Sequence, residues 1–250
     1  MTSCLSTFFG LLSIVTALVG CKGEKNTPGM NEPIVVATSA DYPPFEFYKN
    51  GEMVGFEIDL IKAIAFELKR EVKFQDLPFD SIIGSLQAKR VDLAISAISA
   101  TEERAKVVDF STHYNESKTV LITDDLTIND MNDLKEKTVG VQMGSTYEPC
   151  MKEWQTKIQG LQVQSLTKVP DLIQNLKVKR IVGIVLGVTE ATAIMEQVKG
   201  FKMIVVPETE ISYAIALPKG SEFTAKINEI IEKMKKDGSL KTLQDKWLKG

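Results

Sequence analysis

The chain has 250 residues, of which 44% are hydrophobic and 25% charged, and carries a formal net charge of -3. That balance fits a soluble globular protein of one large or two modest domains, and the lack of a basic stripe argues against nucleic acid as a partner. Three cysteines and a single histidine, His113, supply neither a disulfide framework nor a metal site, and almost no support for protease-type nucleophilic catalysis.

The first segment, "MTSCLSTFFGLLSIVTALVGC", contains no Asp, Glu, Lys or Arg. It is too short and too rich in small residues for a spanning helix, and it reads as a secretory signal over 1–20, although the usual early Lys or Arg is missing. Its end, "LVGC", resembles the lipobox of bacterial lipoproteins, which implies that Cys21 opens the mature chain and carries lipid. Cys4 is then removed, and Cys150 is left alone in the folded part with no role assigned. Residues 21–32 include "KGEKNTPGMNE", a polar, turn-rich tether.

Beyond the tether, short β-rich runs alternate with helical patterns. "IVVATS" reads as a strand. "GFEIDLIKAIAFELKR" sets Phe56, Leu60, Ile61, Ile64 and Leu68 on one helical face. "VKFQDL" is a strand, "FDSIIGSLQAKR" a helix capped by Asp80, and "VDLAISA" a buried strand. This βαβαβ rhythm predicts parallel strands with right-handed crossovers. After "TVLIT" a second such unit begins. "TVGVQMG" turns at Gly144 into the helix "STYEPCMKEWQTKI", where Ser145 and Glu148 have the spacing of a capping box and Pro149 falls in the first turn. "LQVQSL", "PDLIQNLKVK", "RIVGIVL", "TEATAIMEQV" and "FKMIVV" continue the alternation. "ISYAIALPKGS" is then a strand, "EFTAKINEIIEKMKKDG" a helix capped by Ser221, and the tail repeats apolar residues at Leu240, Leu243 and Trp247.

The second unit sits between the first and the tail, so the expected architecture is two α/β lobes, with 33–120 and 211–250 in the first and 121–210 in the second. Two connections, near Thr119–Thr123 and near Val205–Tyr213, are expected to form a double hinge. The ligand cleft then lies between the lobes, where strand ends and helix N-termini face inward.

One stretch departs from helix electrostatics. In "SAISATEERAKVVDFS", Thr101 is a good N-cap and Glu102 and Glu103 suit the positive end of a helix dipole. Arg104 does not suit it. Either a neighbouring protein acid neutralises this cation, or it awaits an anion from outside.

"ATSADYPPFEF", "GFEIDLIKAIA", "SAISATEERAKVVDFS", "YAIALPKGS" and "DGSLKTLQDKW" together resemble the polar amino-acid-binding proteins of bacterial ABC importers, over about Ile34 to Trp247. The resemblance implies a type II periplasmic-binding-protein fold that closes on an amino acid, with no cofactor and no catalysis. It places Arg104 on the ligand α-carboxylate, Ser99 as a hydroxyl beside it, and Ala97 where a main-chain carbonyl meets the α-ammonium. Tyr42 and Phe79 fall on two aromatic rings against the ligand side chain. Gln142, Ser145 and Thr146 fall on the second lobe's contacts, though Ser145 equally suits a cap. Partners implied are an amino acid with a cationic or amide side chain, such as arginine, lysine, glutamine or histidine, and the importer's permease subunits. The protein is expected to be an exported, lipid-anchored monomer that meets the membrane through its N-terminal lipid alone.

Two positions depart from the family pattern. Ser39 stands where many members have an Asp that meets a cationic side chain. Gly187 stands where an acid usually grips the ammonium, and Glu190, three residues on, is the candidate substitute. The same Glu190 keeps an alternative open: the fold also hosts secreted cyclohexadienyl dehydratases acting on arogenate or prephenate, and a carboxyl in an apolar cleft can serve as a general acid.

Overall fold

The computed structural model describes residues 32–248, so the expected signal, the tether through residue 31 and the lipid site Cys21 lie outside the described residues. The chain opens with β1 (Ile34–Thr38) and a small antiparallel sheet, β2 (Asp41–Tyr42), β3 (Glu46–Lys49) and β4 (Glu52–Val54). Then come α1 (Phe56–Glu67), β5 (Val72–Asp76), α2 (Phe79–Gln87), β6 (Leu93–Ala94), the single turn α3 (Glu102–Ala105) and β7 (Val108–Phe110). The expected face of α1 is buried at Phe56, Leu60, Ile61 and Ile64, with Leu68 packed at its edge.

The chain then crosses to a second sheet through β8 (Asn115–Thr123). There follow β9 (Thr138–Gln142), α4 (Tyr147–Lys157), β10 (Gln162–Leu166), α5 (Val169–Lys177), β11 (Gly183–Gly187), α6 (Val188–Gln197) and β12 (Lys202–Tyr213). It returns through β13 (Ala216–Pro218) and ends with α7 (Phe223–Asp237) and α8 (Ser239–Trp247) on the first lobe. Trp247 Nε1 donates to Asp59 Oδ2 of α1 at 2.8 Å and fixes that return.

The two sheets have matching orders, β5-β1-β6-β13-β7 and β10-β9-β11-β8-β12. In each, the first three strands are parallel and the fourth is antiparallel. That fourth strand is the one that has just arrived from the other lobe, so neither lobe completes its sheet alone.

The crossing differs from the expected one. Thr119–Thr123 is not a hinge: it lies within the second sheet, with Thr119 opposite Gly187 and Ile122 opposite Ile184. The ribbon between the lobes is Asn115–Lys118 paired with Glu210–Tyr213, extended by bonds from Tyr114 N to Tyr213 O and Ser111 N to Ile215 O. The run "VDLAISA" is also shorter as a strand than expected: it pairs only over Leu93–Ala94, and Ala97 beyond it adopts φ 44°, in the left-handed region. At α2 the N-cap is Pro78, with Asp80 in the first turn; at α7 it is Glu222, with Ser221 Oγ accepting from Phe223 N.

Candidate functional site

The cleft is walled by loops that leave the ends of the two sheets. Tyr42, Phe79, Ser96, Ala97, Ser99 and Arg104 line it from the first lobe. Gln142, Ser145, Thr146 and Tyr147 line it from the second. The lobes are closed on one another, and about 10 Å³ of space remains between these side chains, roughly the room for one water. Any amino acid enters only when the lobes part.

Thr101 caps α3, its hydroxyl accepting from Arg104 N at 3.2 Å, so the turn forms as expected. The Arg104 guanidinium is largely shielded, and burial pulls its pKa below the usual arginine value. Nη1 donates to Ser99 O at 2.9 Å in its own lobe, and Nη2 donates to Gly144 O at 3.0 Å in the other. Its Cζ lies 5.6 Å from the centre of the Phe79 ring. Among the described residues it forms no ion pair, so the first of the two sequence alternatives does not hold.

The facing turn is tight for a steric reason. Gly144 has φ 75°, and a Cβ there would come within 2.9 Å of Asp80 Cα across the cleft. The expected capping box at α4 does not form. Ser145 Oγ donates back to Gln142 O at 2.6 Å, while Glu148 Oε2 accepts from Gly144 N at 3.0 Å and its other oxygen holds Lys152. Thr146 instead occupies the cap position, and its hydroxyl lies 3.3 Å from that of Ser99. A further inter-lobe bond runs from Val169 N, at the start of α5, to Asp41 Oδ2 at 3.2 Å. Burial raises the Asp41 pKa to about 6.

From this surface inward the hydroxyls of three tyrosines form a chain, Tyr42 to Tyr147 at 3.2 Å and Tyr147 to Tyr213 at 3.4 Å. Tyr213 donates on to Glu190 Oε1 at 3.3 Å. Glu190 is fully buried, and its Oε2 has no hydrogen-bond partner among the described residues. Desolvation raises its pKa to about 8, so at neutral pH it is mostly protonated. Its carboxyl fills the space beside Gly187, where a Cβ would lie 2.3 Å from Glu190 Oε2 and 2.7 Å from the Tyr213 hydroxyl. Glycine at 187 and glutamate at 190 are thus one arrangement: the acid reaches from the helix into the volume that a side chain on the strand end would fill.

Of the residues singled out from sequence, Arg104, Ser99, Ala97, Tyr42, Phe79, Gln142, Ser145 and Thr146 come together at the cleft surface. Ser39 does not line it. Its hydroxyl turns to Asp41 Oδ1 at 3.3 Å and its N–H binds Ser96 Oγ, because the chain bends there into the small sheet. Glu190 stands one layer back, behind Tyr213 and Tyr147. Sequence reasoning missed Tyr147 and Ser96. Tyr147 had a usable signal as the first helical residue after the Gly144 turn, whereas Ser96 is turned to the cleft only by the bend at Ala97.

Residues 34–250 match the family model of bacterial extracellular solute-binding proteins, family 3. The arginine-binding extracellular protein ArtP of Bacillus subtilis (strain 168) is 35% identical over 243 residues, covering 95% of this chain and 94% of that one. The L-cystine-binding protein TcyJ of Escherichia coli (strain K12) is 32% identical over 86% of this chain and 82% of its own. Among solved structures, an ancestral arginine-binding protein bound to arginine superposes with a TM-score of 0.83 at 38% identity, covering 88% of this chain and all of that one.

Proposed function

The chain belongs to the bacterial extracellular solute-binding proteins of family 3, and from that premise we propose that it captures a polar amino acid by lobe closure and delivers it to the permease of an ABC importer. One observation carries the ligand chemistry: among the described residues, a shielded guanidinium at the junction of the lobes has carbonyl and ring partners and no ion pair. A carboxylate offers that fork a charged, bidentate acceptor and is the stronger partner. In the open state Gly144 O is withdrawn, and the α-carboxylate takes its place on Arg104 with help from the Ser99 and Thr146 hydroxyls. Hinge closure then sets the second lobe against the ligand.

The α-ammonium is assigned to the Ala97 carbonyl and Glu190, which ionises when a cation reaches it. The ligand side chain is assigned to the aromatic wall of Tyr42 and Phe79, with Gln142, Ser145 and Thr146 closing from the second lobe. That wall, together with the similarity to arginine- and cystine-binding proteins, supports a cationic or amide side chain. The protein is assigned no turnover, and export with lipid at Cys21 keeps it at the membrane as a monomer.

A thermal-shift panel of the twenty amino acids and cystine tests this reading, with L-arginine expected to raise the melting temperature. A flat panel defeats it. Formation of product from arogenate or prephenate, lost in Glu190→Gln, would favour the dehydratase alternative. Cys21→Ala is expected to move the protein from the membrane fraction to the soluble one.

A further inference from the structure

Glu46 and Glu57 lie directly beneath the cleft floor, and the reading above gives them no task. Both are fully buried, Glu46 on β3 and Glu57 in the first turn of α1. Glu46 Oε1 accepts from Ser96 Oγ at 2.7 Å. Glu57 Oε1 accepts from Ala97 N at 2.8 Å and from the Tyr114 hydroxyl. Among the described residues Glu46 Oε2 and Glu57 Oε2 have no hydrogen-bond partner, and the neighbouring Glu57 carboxyl adds to burial in pushing the Glu46 pKa well above the usual carboxylate range.

Among the described residues, neither carboxyl has a Lys or Arg ion-pair partner. The charged groups that act on them are themselves acids: Asp41 on Glu46, and Glu190, which feels Glu57. Two bare carboxylates side by side beneath the same two residues, out of water, repel too strongly to persist. One proton between them satisfies both free oxygens and leaves a single charge that belongs to the pair.

We propose that Glu46 and Glu57 share one proton, and that the remaining negative charge pins the Ser96–Ala97 floor and attracts the ammonium of the bound amino acid. The pinning is visible in Ala97, a residue with a Cβ held at φ 44° while Glu57 takes its N–H. The attraction follows from burial: a charge screened by little water acts through several ångströms of protein. Glu46 and Glu57 are therefore positioning residues, one layer beneath the ligand. This inference rests on the amino-acid-binding reading, with L-arginine as the probe.

Amide substitutions separate charge from hydrogen bonding. Glu46→Gln or Glu57→Gln replaces the shared O–H by an N–H and still leaves one negative charge, so each should bind L-arginine within about threefold of wild type. The double variant Glu46→Gln/Glu57→Gln keeps donors and acceptors but has no charge, and should bind at least about tenfold more weakly by calorimetry. Wild-type affinity in the double variant overturns the proposal, as does a single variant as weak as the double.

A second measurement needs no ligand. In a Glu190→Gln background at about pH 8, where Asp41 is ionised, infrared spectra should show the band of a buried protonated carboxyl, lost on adding Glu46→Gln. Absence of that band in the parent sinks the shared proton. This second measurement decides the matter if the double variant does not fold. It also keeps the two ideas apart: no binding of any amino acid with the band present defeats the functional reading and leaves the shared proton standing.

Discussion

Arg104 at the cleft surface and Glu190 one layer behind it are shielded ionisable groups of the two lobes, and they meet their burial differently. Arg104, on the first lobe, has two carbonyls and an aromatic ring but, among the described residues, no ion-pair partner. Glu190, on the second, receives a tyrosine hydroxyl but, among the described residues, has no ion-pair partner and one oxygen without a hydrogen-bond partner. A guanidinium cannot shed its proton in a protein, so the first lobe stays charged; a carboxyl can take one up, so the second adapts. One zwitterion laid between them would relieve both. The first lobe should accordingly supply most of the affinity, and the second lobe its pH dependence.

The sharpest way to break this comparison is Arg104→Ala. It removes two charge-assisted bonds to a carboxylate, at about 1.5–3 kcal/mol each, so affinity for L-arginine should fall about 100-fold or more in calorimetry while circular dichroism stays native. Unchanged affinity would take Arg104 out of the site.

Glu190→Gln should cost less, about tenfold in affinity at pH 8, because a neutral amide still accepts from the ammonium. The pH behaviour is more telling. The Glu190 pKa rises from 4.5 to about 8 on folding, so the folded state holds an extra proton between those values. Its contribution to stability is full below the lower value and is lost as pH rises through the upper one. The wild-type melting temperature without ligand should therefore decline across that window, and Glu190→Gln should reduce the slope. Affinity should move the opposite way, strengthening as Glu190 becomes easier to ionise. Parallel slopes in both proteins would mean that the titrating group is not Glu190.

Asp41→Ala removes the inter-lobe bond to Val169 N and should weaken binding about fivefold through a less stable closed state, with a larger radius in solution scattering. Tyr147→Phe is the mildest, about twofold in affinity, since it breaks the hydroxyl chain but keeps the ring. An effect as large as that of Glu190→Gln would place Tyr147 in direct contact with the ligand.

Much of this was legible beforehand for local reasons. The face of α1 follows from helical spacing, and Arg104 stood out because a cation is misplaced at the positive end of a helix. Other features were illegible because their partners are distant in sequence. Ser145 and Glu148 have capping-box spacing, yet each found a different main-chain partner once the Gly144 turn closed against Asp80. Ser39 aligned with a ligand-contacting position, but a nearby Asp41 carboxylate drew its hydroxyl aside.

The sequence by itself determined two α/β lobes, the order of their elements and the cation that faces the cleft, because periodicity, turn residues and helix-end electrostatics act within a few neighbours. Only the tertiary structure decided that Glu190 occupies the volume beside Gly187, and that Glu46 and Glu57 meet beneath Ser96 and Ala97. Those pairings depend on which distant side chains are excluded from water together, and burial of that kind is a property of the assembled fold.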